Sequence, residues 1–238
     1  LSGRRSEAET WIARALGIAE GIGAPSALSF CWMVLAESLD QYGAYTRADQ
    51  AAQRALAIAR EIDHREWTLA SLGPIGRVQW ARGDHPAALT THQEMLRIAR
   101  ETGTALWTVE ALANVALDHV RLGNVETARE ACEEAIAQGG QYLKGNFSAW
   151  LTRGELHLLA GHPAEALATA RELRVLASEV RLRLPEVWQL EGDALAALGD
   201  AASAEAAYRS GLAGARAVGA APGLMRCAAR LADLLRQS

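Results

Sequence analysis

Residues 83–103 read Gly-Asp-His-Pro-Ala-Ala-Leu-Thr-Thr-His-Gln-Glu-Met-Leu-Arg-Ile-Ala-Arg-Glu-Thr-Gly and predict one complete helix with a glycine turn at each end. Gly83 suits the left-handed conformation that closes a preceding helix, and Asp84 can accept hydrogen bonds from the first free backbone N–H groups. Pro86 fits the first helical turn, where its missing donor costs little. Apolar and packing residues then recur at helical spacing along one face: Ala88, Leu89, His92, Met95, Leu96 and Ala99.

This unit recurs along the chain, with turn glycines spaced 40, 40, 40, 38 and 38 residues apart at Gly3, Gly43, Gly83, Gly123, Gly161 and Gly199. A nearly fixed spacing of this length is typical of a repeat array. An alanine stands five residues after each glycine, at Ala8, Ala48, Ala88, Ala128, Ala166 and Ala204. Because a methyl side chain lets two helices approach closely, we expect these alanines at helix crossings.

A second helical segment precedes each of the last five glycines. Eleven residues before the glycine the side chain is bulky and apolar, at Trp32, Leu72, Leu112, Trp150 and Trp188. Seven residues before it the residue is small, at Ala36, Gly76, Ala116, Gly154 and Gly192. Positions four residues apart share one helical face, so each face pairs a large side chain with a gap. The pattern predicts antiparallel helix pairs: a helix over 4–21, the pairs 26–42 with 44–61, 64–82 with 85–102, 104–122 with 125–138, 142–160 with 163–179 and 184–198 with 201–217, and a last helix over 222–236.

These residues resemble the tetratricopeptide repeat, which has an aromatic residue, a small residue four positions on, a turn glycine and then an alanine five beyond. Trp150-Leu-Thr-Arg-Gly154, followed by Gly161 and Ala166, carries the resemblance well, and it extends over essentially the whole chain. It implies an all-α fold, a right-handed superhelical solenoid of antiparallel helix pairs. Each pair of such an array contacts mainly its neighbours.

Two features differ from the usual family pattern. The period is 38 to 40 residues, whereas about 34 is usual. The longer period resembles the sensor arms of bacterial signal-transducing ATPases that regulate transcription. The leucine expected just before the small residue is Arg153 in one repeat and Glu191 in another, so packing should differ there.

The unbroken repeat predicts a single elongated domain over residues 1–238 with about six repeats, the first lacking its first helix. Because Leu1 falls partway into a repeat, we expect the chain to be a fragment of a longer protein. Its oligomeric state is left open by the sequence.

The net charge and the cysteine content indicate which kinds of partner the chain binds and in which cellular compartment it is found. A net charge of -4 and a pI of about 5.9 argue against direct nucleic-acid binding by this segment. Cys31, Cys132 and Cys227 lie apart within helical patterns, which favours buried thiols in a reducing cytosol over a redox or metal role. With no signal peptide and no membrane-spanning run, the sequence predicts a cytoplasmic protein without a membrane partner.

The sequence predicts no catalytic site, cofactor or metal. It contains neither a GxxxxGK[ST] phosphate loop nor a G-x-S-x-G nucleophile turn. The six histidines lack metal-ligand spacing, and we interpret them as structural residues.

The resemblance implies that the first helix of each pair lines a concave face, where residues ten, six and three before the turn glycine point inward. Asn114 and Arg121 flank the middle set of these positions. The predicted binding residues are Glu37, Arg77, Trp80, Asn114, Leu117, Arg121, Glu155 and Asp193. Two alternatives are open for Trp80, which either anchors a ligand beside Arg77 or packs on the next helix. Pro74 predicts a kink in helix 64–82, which either is absorbed by neighbouring helices or opens the inner face.

The favoured function is a non-catalytic scaffold that binds a protein or peptide on its concave face. The alternative is an effector-sensing arm of a bacterial transcription regulator or signalling ATPase, which would bind a small ligand. An enzyme is disfavoured because nucleophile, base and cofactor motifs are absent from the sequence.

Overall fold

The computed structural model describes residues 5–139, 143–176 and 184–237, and these ranges contain helices joined by short turns. Twelve helices lie in the described residues: α1 (Arg5–Gly21), α2 (Pro25–Gln41), α3 (Tyr45–Glu61), α4 (Arg65–Ala81), α5 (His85–Thr102), α6 (Ala105–Arg121), α7 (Val125–Gly139), α8 (Leu143–Leu159), α9 (Pro163–Leu176), α10 (Leu184–Ala197), α11 (Ala201–Val218) and α12 (Ala221–Gln237). The predicted helix ends agree to within one residue wherever they are described. Gly3 and residues 177–179 lie outside the described residues. The all-α, tetratricopeptide-like solenoid fold predicted from the sequence is confirmed.

Each described turn glycine between the two helices of a pair has the left-handed backbone that the sequence predicted. The φ angles are 76°, 84°, 78°, 74° and 83° at Gly43, Gly83, Gly123, Gly161 and Gly199. Glycine adopts this conformation without the steric cost that a Cβ atom imposes. Aspartates then cap the next helix, since Asp84 accepts from the Ala87 N–H at 3.2 Å and Asp200 from the Ser203 N–H at 3.1 Å.

The described residues form two compact units, Arg5–Ala149 and the part of the chain that begins at Trp150. In the first, called the N-terminal unit below, α2 packs on α3, α4 on α5 and α6 on α7. In the second, the C-terminal unit, α10 packs on α9, α11 and α12. That one domain spans residues 1–238 stays a prediction.

Five of the six alanines that follow the turn glycines by five residues are fully buried, with 0% exposure at Ala48, Ala88, Ala128, Ala166 and Ala204. Ala8 on α1 is only half-buried. The space beside the small residues of the first helices is occupied by side chains from other helices. A Cβ atom at Gly76 would overlap the His92 ring, one at Gly154 would overlap Leu190, and one at Gly192 would overlap Tyr208. Each of these three gaps is therefore occupied by a side chain from another helix.

Polar contacts occupy the two positions, Arg153 and Glu191, at which the family pattern has a leucine. The Arg153 guanidinium lies 3.9 Å from the centre of the Trp150 ring, so a cation covers the aromatic face where a leucine was expected. Glu191 is buried and pairs with Arg174 at 3.1 Å. The helix that contains Pro74 continues from Arg65 to Ala81, and Pro74 is buried within it.

Among the described helices, none combines the length and the apolar character needed to span a bilayer.

Candidate functional site

In the N-terminal unit, the first helices α2, α4 and α6 form a continuous surface, called the first-helix surface below. Helix α4 packs against both α2 and α6, and no two of the second helices α3, α5 and α7 approach each other to that extent. Because the first helices are the more closely spaced, their side of this unit is the inner one. The predicted residues Glu37, Arg77, Trp80, Asn114, Leu117 and Arg121 belong to these three helices.

Arg77 on α4 lies at the centre of a carboxylate cluster. Its Nε donates to Asp40 Oδ2 at 2.9 Å, its Nη1 donates to Glu110 Oε1 at 3.3 Å, and its Nη2 lies 3.7 Å from Glu37 Oε1. The cluster therefore connects α2, α4 and α6. One guanidinium thus contacts three carboxylates from two neighbouring helices.

The cluster is largely shielded from water. The exposed fractions of the side chains are 23% for Arg77, 23% for Glu37, 14% for Asp40 and 8% for Glu110. Burial alone would lower the pKa of Arg77, but the three carboxylates outweigh it and raise that pKa above its ordinary value. Gly73 leaves room for this arrangement, because a Cβ atom there would lie only 3.3 Å from Arg77 Nη1.

Trp80 is half-buried and packs between polar neighbours. The Arg121 guanidinium lies 5.5 Å from the centre of its ring, within the range of a cation–π interaction. The His85 ring lies 6.0 Å away at a tilt of 59°. The Trp80 indole nitrogen Nε1 is buried without a hydrogen-bond acceptor. Trp80 thus packs on neighbouring side chains and also leaves an N–H group unsatisfied.

Asn114 on α6 presents a second unsatisfied donor. Only 7% of the residue is exposed, and its Nδ2 has no hydrogen-bond partner. It lies four residues after Glu110 and seven before Arg121, so these three residues follow one face of the helix. Leu117, three residues further along, is half-buried on the same helix.

The structure brings the predicted residues together in two groups. Glu37 meets Arg77, and Trp80 meets Arg121. The sequence pattern places Asp40, three residues before Gly43, on the inner face, but Asp40 was not among the predicted binding residues. Sequence reasoning missed Glu110, which also contacts Arg77. The signal for Glu110 was its spacing of four residues from Asn114 on one helix.

The other two predicted residues belong to the C-terminal unit. Asp193 accepts from the Tyr208 hydroxyl at 2.8 Å and pairs with Arg230 Nε at 3.1 Å, which ties α10 to α11 and α12. Burial raises the pKa of Asp193 despite the opposing effect of Arg230. Glu155 is half-buried on α8. A ligand contact at either residue stays a prediction.

The pair His92–Asp118 and the cysteines are enclosed in the core. His92 and Asp118 are both buried and share a hydrogen bond of 2.6 Å between Nδ1 and Oδ2. The three cysteines are buried thiols that are not joined in disulfides, as predicted. Within the described ranges, no group of three or more histidine, cysteine, aspartate or glutamate side chains is arranged to hold a metal ion.

A family model described as "Tetratricopeptide repeat" matches residues 32–101 and 67–139. A comparison with curated protein sequences finds no match.

Several solved structures share the fold. BtubC (BKLC) from P. vanneervenii superposes with a TM-score of 0.61 and 17% identity over 90% of this chain and 90% of that one. A Rap protein complexed with Competence and Sporulation Factor gives 0.61 and 15% identity over 92% and 67%. A Signal Transduction ATPase with Numerous Domains that has a tetratricopeptide repeat sensor, from Pyrococcus horikoshii, gives 0.54 and 14% over 89% and 34%. At sequence identities of 14% to 17%, these superpositions show that the chain and the three proteins share a fold.

Proposed function

This chain belongs to the tetratricopeptide repeat family, and on that premise we propose that its first-helix surface binds a segment of a protein or a peptide. In this proposal the chain is a non-catalytic scaffold without a cofactor. Its three buried thiols, none of them in a disulfide, support a reducing compartment such as the cytoplasm.

The observation that carries the proposal is the pair of unsatisfied N–H donors on this surface, Trp80 Nε1 and Asn114 Nδ2. A buried donor without an acceptor costs about 1–3 kcal/mol, so buried polar groups normally have partners. Side-chain rotation toward an incoming carbonyl or carboxylate oxygen would recover this cost. A peptide offers one main-chain carbonyl per residue, which makes it a suitable occupant.

The surface also has the composition of a recognition site. Trp80 and Arg121 belong to the residue types that dominate binding energy at interfaces. Leu117, on the same helix as Arg121, adds a half-buried apolar side chain. The solved complex of the Rap protein with Competence and Sporulation Factor supports a binding role for a fold of this kind.

A second candidate is an effector-sensing arm that binds a small ligand. The Pyrococcus horikoshii ATPase with a tetratricopeptide repeat sensor favours it, because 89% of this chain superposes on 34% of that chain. Here the same donors would hold one small molecule, and a panel of small effectors should then raise the melting temperature of the chain by mass action.

The test is selection of a random phage-displayed peptide library on the wild-type chain. Peptides that enrich should bind Trp80→Ala and Asn114→Ala at least about tenfold more weakly, as expected for loss of interface anchors. The matched control is Glu130→Ala, an exposed residue on second helix α7, which should bind normally. Failure to enrich any peptide, or equal binding by all three variants, would contradict the proposal.

A further inference from the structure

We propose that copies of this chain associate head to tail, with α12 of one copy covering α1 of the next and completing a helix pair with it. These two helices are the first and the last of the described helices, and each exposes an apolar face. The inference is independent of the proposed function, because neither helix belongs to the first-helix surface.

Helix α1 has the register of a second helix but is covered on one side only. It packs on α2, whereas α3 packs on both α2 and α4. Trp11 and Ile18 are 61% and 57% exposed, and Ala15 between them is half-buried. These three residues, called the α1 face below, share one side of the helix. Their counterparts in α3, forty positions later, are all buried: Ala51, Ala55 and Ile58. The α1 face is therefore the side that the first helix of a pair would cover.

Helix α12 has the register of a first helix. It begins two residues after the left-handed Gly219, as α6 begins two residues after the left-handed Gly103. Met225 is 72% exposed, and Ala228 and Ala232 are exposed on the same side; these three residues are called the α12 face below. Their counterparts in α6, which packs on its second helix α7, are all buried: Val109, Leu112 and Ala116. The α12 face is therefore the side that a second helix would cover.

Contacts inside the chain show which residues of the two faces would meet. In the pair α4–α5, the His92 ring occupies the space over Gly76. His92 lies two repeats, or eighty positions, after Ile12 on α1. Gly76 and Ala232 each lie thirteen residues after a left-handed turn residue, Asp63 and Gly219 respectively. By this register Ala232 of one copy would pack over Ile12 and the adjoining α1 face of the next copy.

The sizes of the side chains on the two faces are the reverse of those in the pairs inside the chain. Trp11 stands where each other described second helix has a small residue: Ala51, Thr91, Ala131, Thr169 and Ala207. Ala228 stands where the other described first helices have a bulky one: Trp32, Leu72, Leu112, Trp150 and Trp188. Close packing requires that a large side chain on one helix meet a gap on the other. Because the two exchanges compensate each other, a second copy of this chain is the occupant that fits both faces.

The proposed contact joins two different faces, so it is heterologous. A copy that uses its α12 face still has its α1 face available for another copy. Association therefore continues beyond two copies unless the copies close into a ring. A symmetric dimer through α1 alone or through α12 alone would use the same face twice and would stop at two copies.

Sedimentation velocity of the wild-type chain tests whether the copies associate. The range from about 1 µM to about 200 µM is suitable, because the affinity of standard-sized interfaces extends from micromolar to much tighter. The mean mass should rise with concentration. A wild-type chain that stays monomeric over the whole range would overturn the proposal.

Two variants, each with one blocked face, identify the faces that meet. Trp11→Glu places a charge in the α1 face and Ala228→Glu places one in the α12 face, and burying an unpaired charge is strongly unfavourable. Each variant alone should be monomeric. Their equimolar mixture should form a complex of one copy of each and nothing larger, because only one intact α1 face and one intact α12 face can meet. Leu159→Glu on α8 replaces an exposed apolar residue outside both faces, and this control should associate like the wild type.

The mixture also separates a blocked face from a damaged fold, since a variant that had unfolded could not complement the other. Ile18→Glu and Met225→Glu repeat the experiment at other positions of the same two faces. Association of either blocked variant by itself would show a symmetric contact and overturn the proposal. Mixtures that stay monomeric for both pairs of variants, or a control that loses association as the blocked variants do, would overturn it as well.

Discussion

The imidazole ring of His92 on α5 occupies the space over Gly76 on α4 in which any other residue would have its Cβ atom. The two residues belong to the two helices of one pair, so glycine at this position determines how closely the pair can pack. On its other side the same ring bonds to Asp118 on α6, the first helix of the next pair. One side chain therefore joins three consecutive helices.

We expect Gly76→Ala to lower the free energy of unfolding by about 1–3 kcal/mol, because the added methyl group forces the His92 ring to move within a packed core. The matched control is Gly17→Ala on α1, where a Cβ atom would meet nothing within 4 Å. That change should stabilise the chain by up to about 1 kcal/mol through helix propensity. Urea unfolding measures both, and equal midpoints would contradict the packing described for Gly76.

Ala128 tests the helix crossings. It is fully buried on α7, and we expect Ala128→Leu to cost about 1–3 kcal/mol of stability through overpacking. Ala137 lies on the same helix but is exposed, so Ala137→Leu should change the melting temperature little. Identical melting temperatures for the two variants would show that the alanines five residues after the turn glycines do not lie where the helices cross.

Trp80 and Trp67 make a matched pair on α4. Trp67 Nε1 donates to Ser26 Oγ at 2.8 Å, and its ring packs against Phe30. We expect Trp67→Ala to lower the melting temperature while leaving the affinity for selected peptides unchanged. Trp80→Ala should do the reverse, with a loss of binding and a stability loss below the roughly 3–5 kcal/mol of a fully buried tryptophan. If Trp80→Ala were the more destabilising of the two, Trp80 would be a core residue rather than an anchor.

Tyr208 gives the C-terminal unit a dependence on alkaline pH. Burial and the neighbouring Asp193 carboxylate raise the pKa of its phenol above the ordinary value of 10.0. In the unfolded chain the phenol ionises near its ordinary pKa, whereas in the folded chain it stays protonated. The unfolded state thus binds fewer protons above pH 10, and the free energy of unfolding falls as pH rises there.

Tyr208→Phe removes this titration, so its unfolding free energy should fall less steeply with pH above 10 than that of the wild type. Chemical unfolding at several pH values compares the two slopes. At neutral pH the variant should be less stable, because Asp193 loses the hydroxyl donor at 2.8 Å. Parallel slopes above pH 10 would show that Tyr208 titrates normally.

The helices and their register could be predicted from the sequence because both depend on short-range patterns. The glycine, proline and capping positions of residues 83–103 determine where a helix begins and ends. The spacing of the alanines indicates which face of the helix packs against another helix. The tetratricopeptide resemblance then identified the side of each pair that carries the candidate site.

The contacts within the site could not be predicted in the same way. Arg77 meets Asp40 and Glu110, which are 37 and 33 residues away, and such distances depend on how successive pairs rotate against each other. Glu110 lies outside the positions that the family pattern places on the inner face. The sequence pattern also could not predict that Asn114 Nδ2 has no hydrogen-bond acceptor, because this depends on which groups surround it in the folded chain.

The position of Arg77 has a consequence for how the N-terminal unit unfolds. In repeat arrays each unit is usually coupled to its immediate neighbours alone, so the ends can open while the middle stays folded. Arg77 holds carboxylates from the pairs on both sides of its own. Opening either neighbour removes part of the negative charge that pairs with the largely buried Arg77 guanidinium, which is unfavourable. The three pairs are therefore expected to exchange their amide hydrogens as one cooperative block, and the first-helix surface to be lost or kept as a whole.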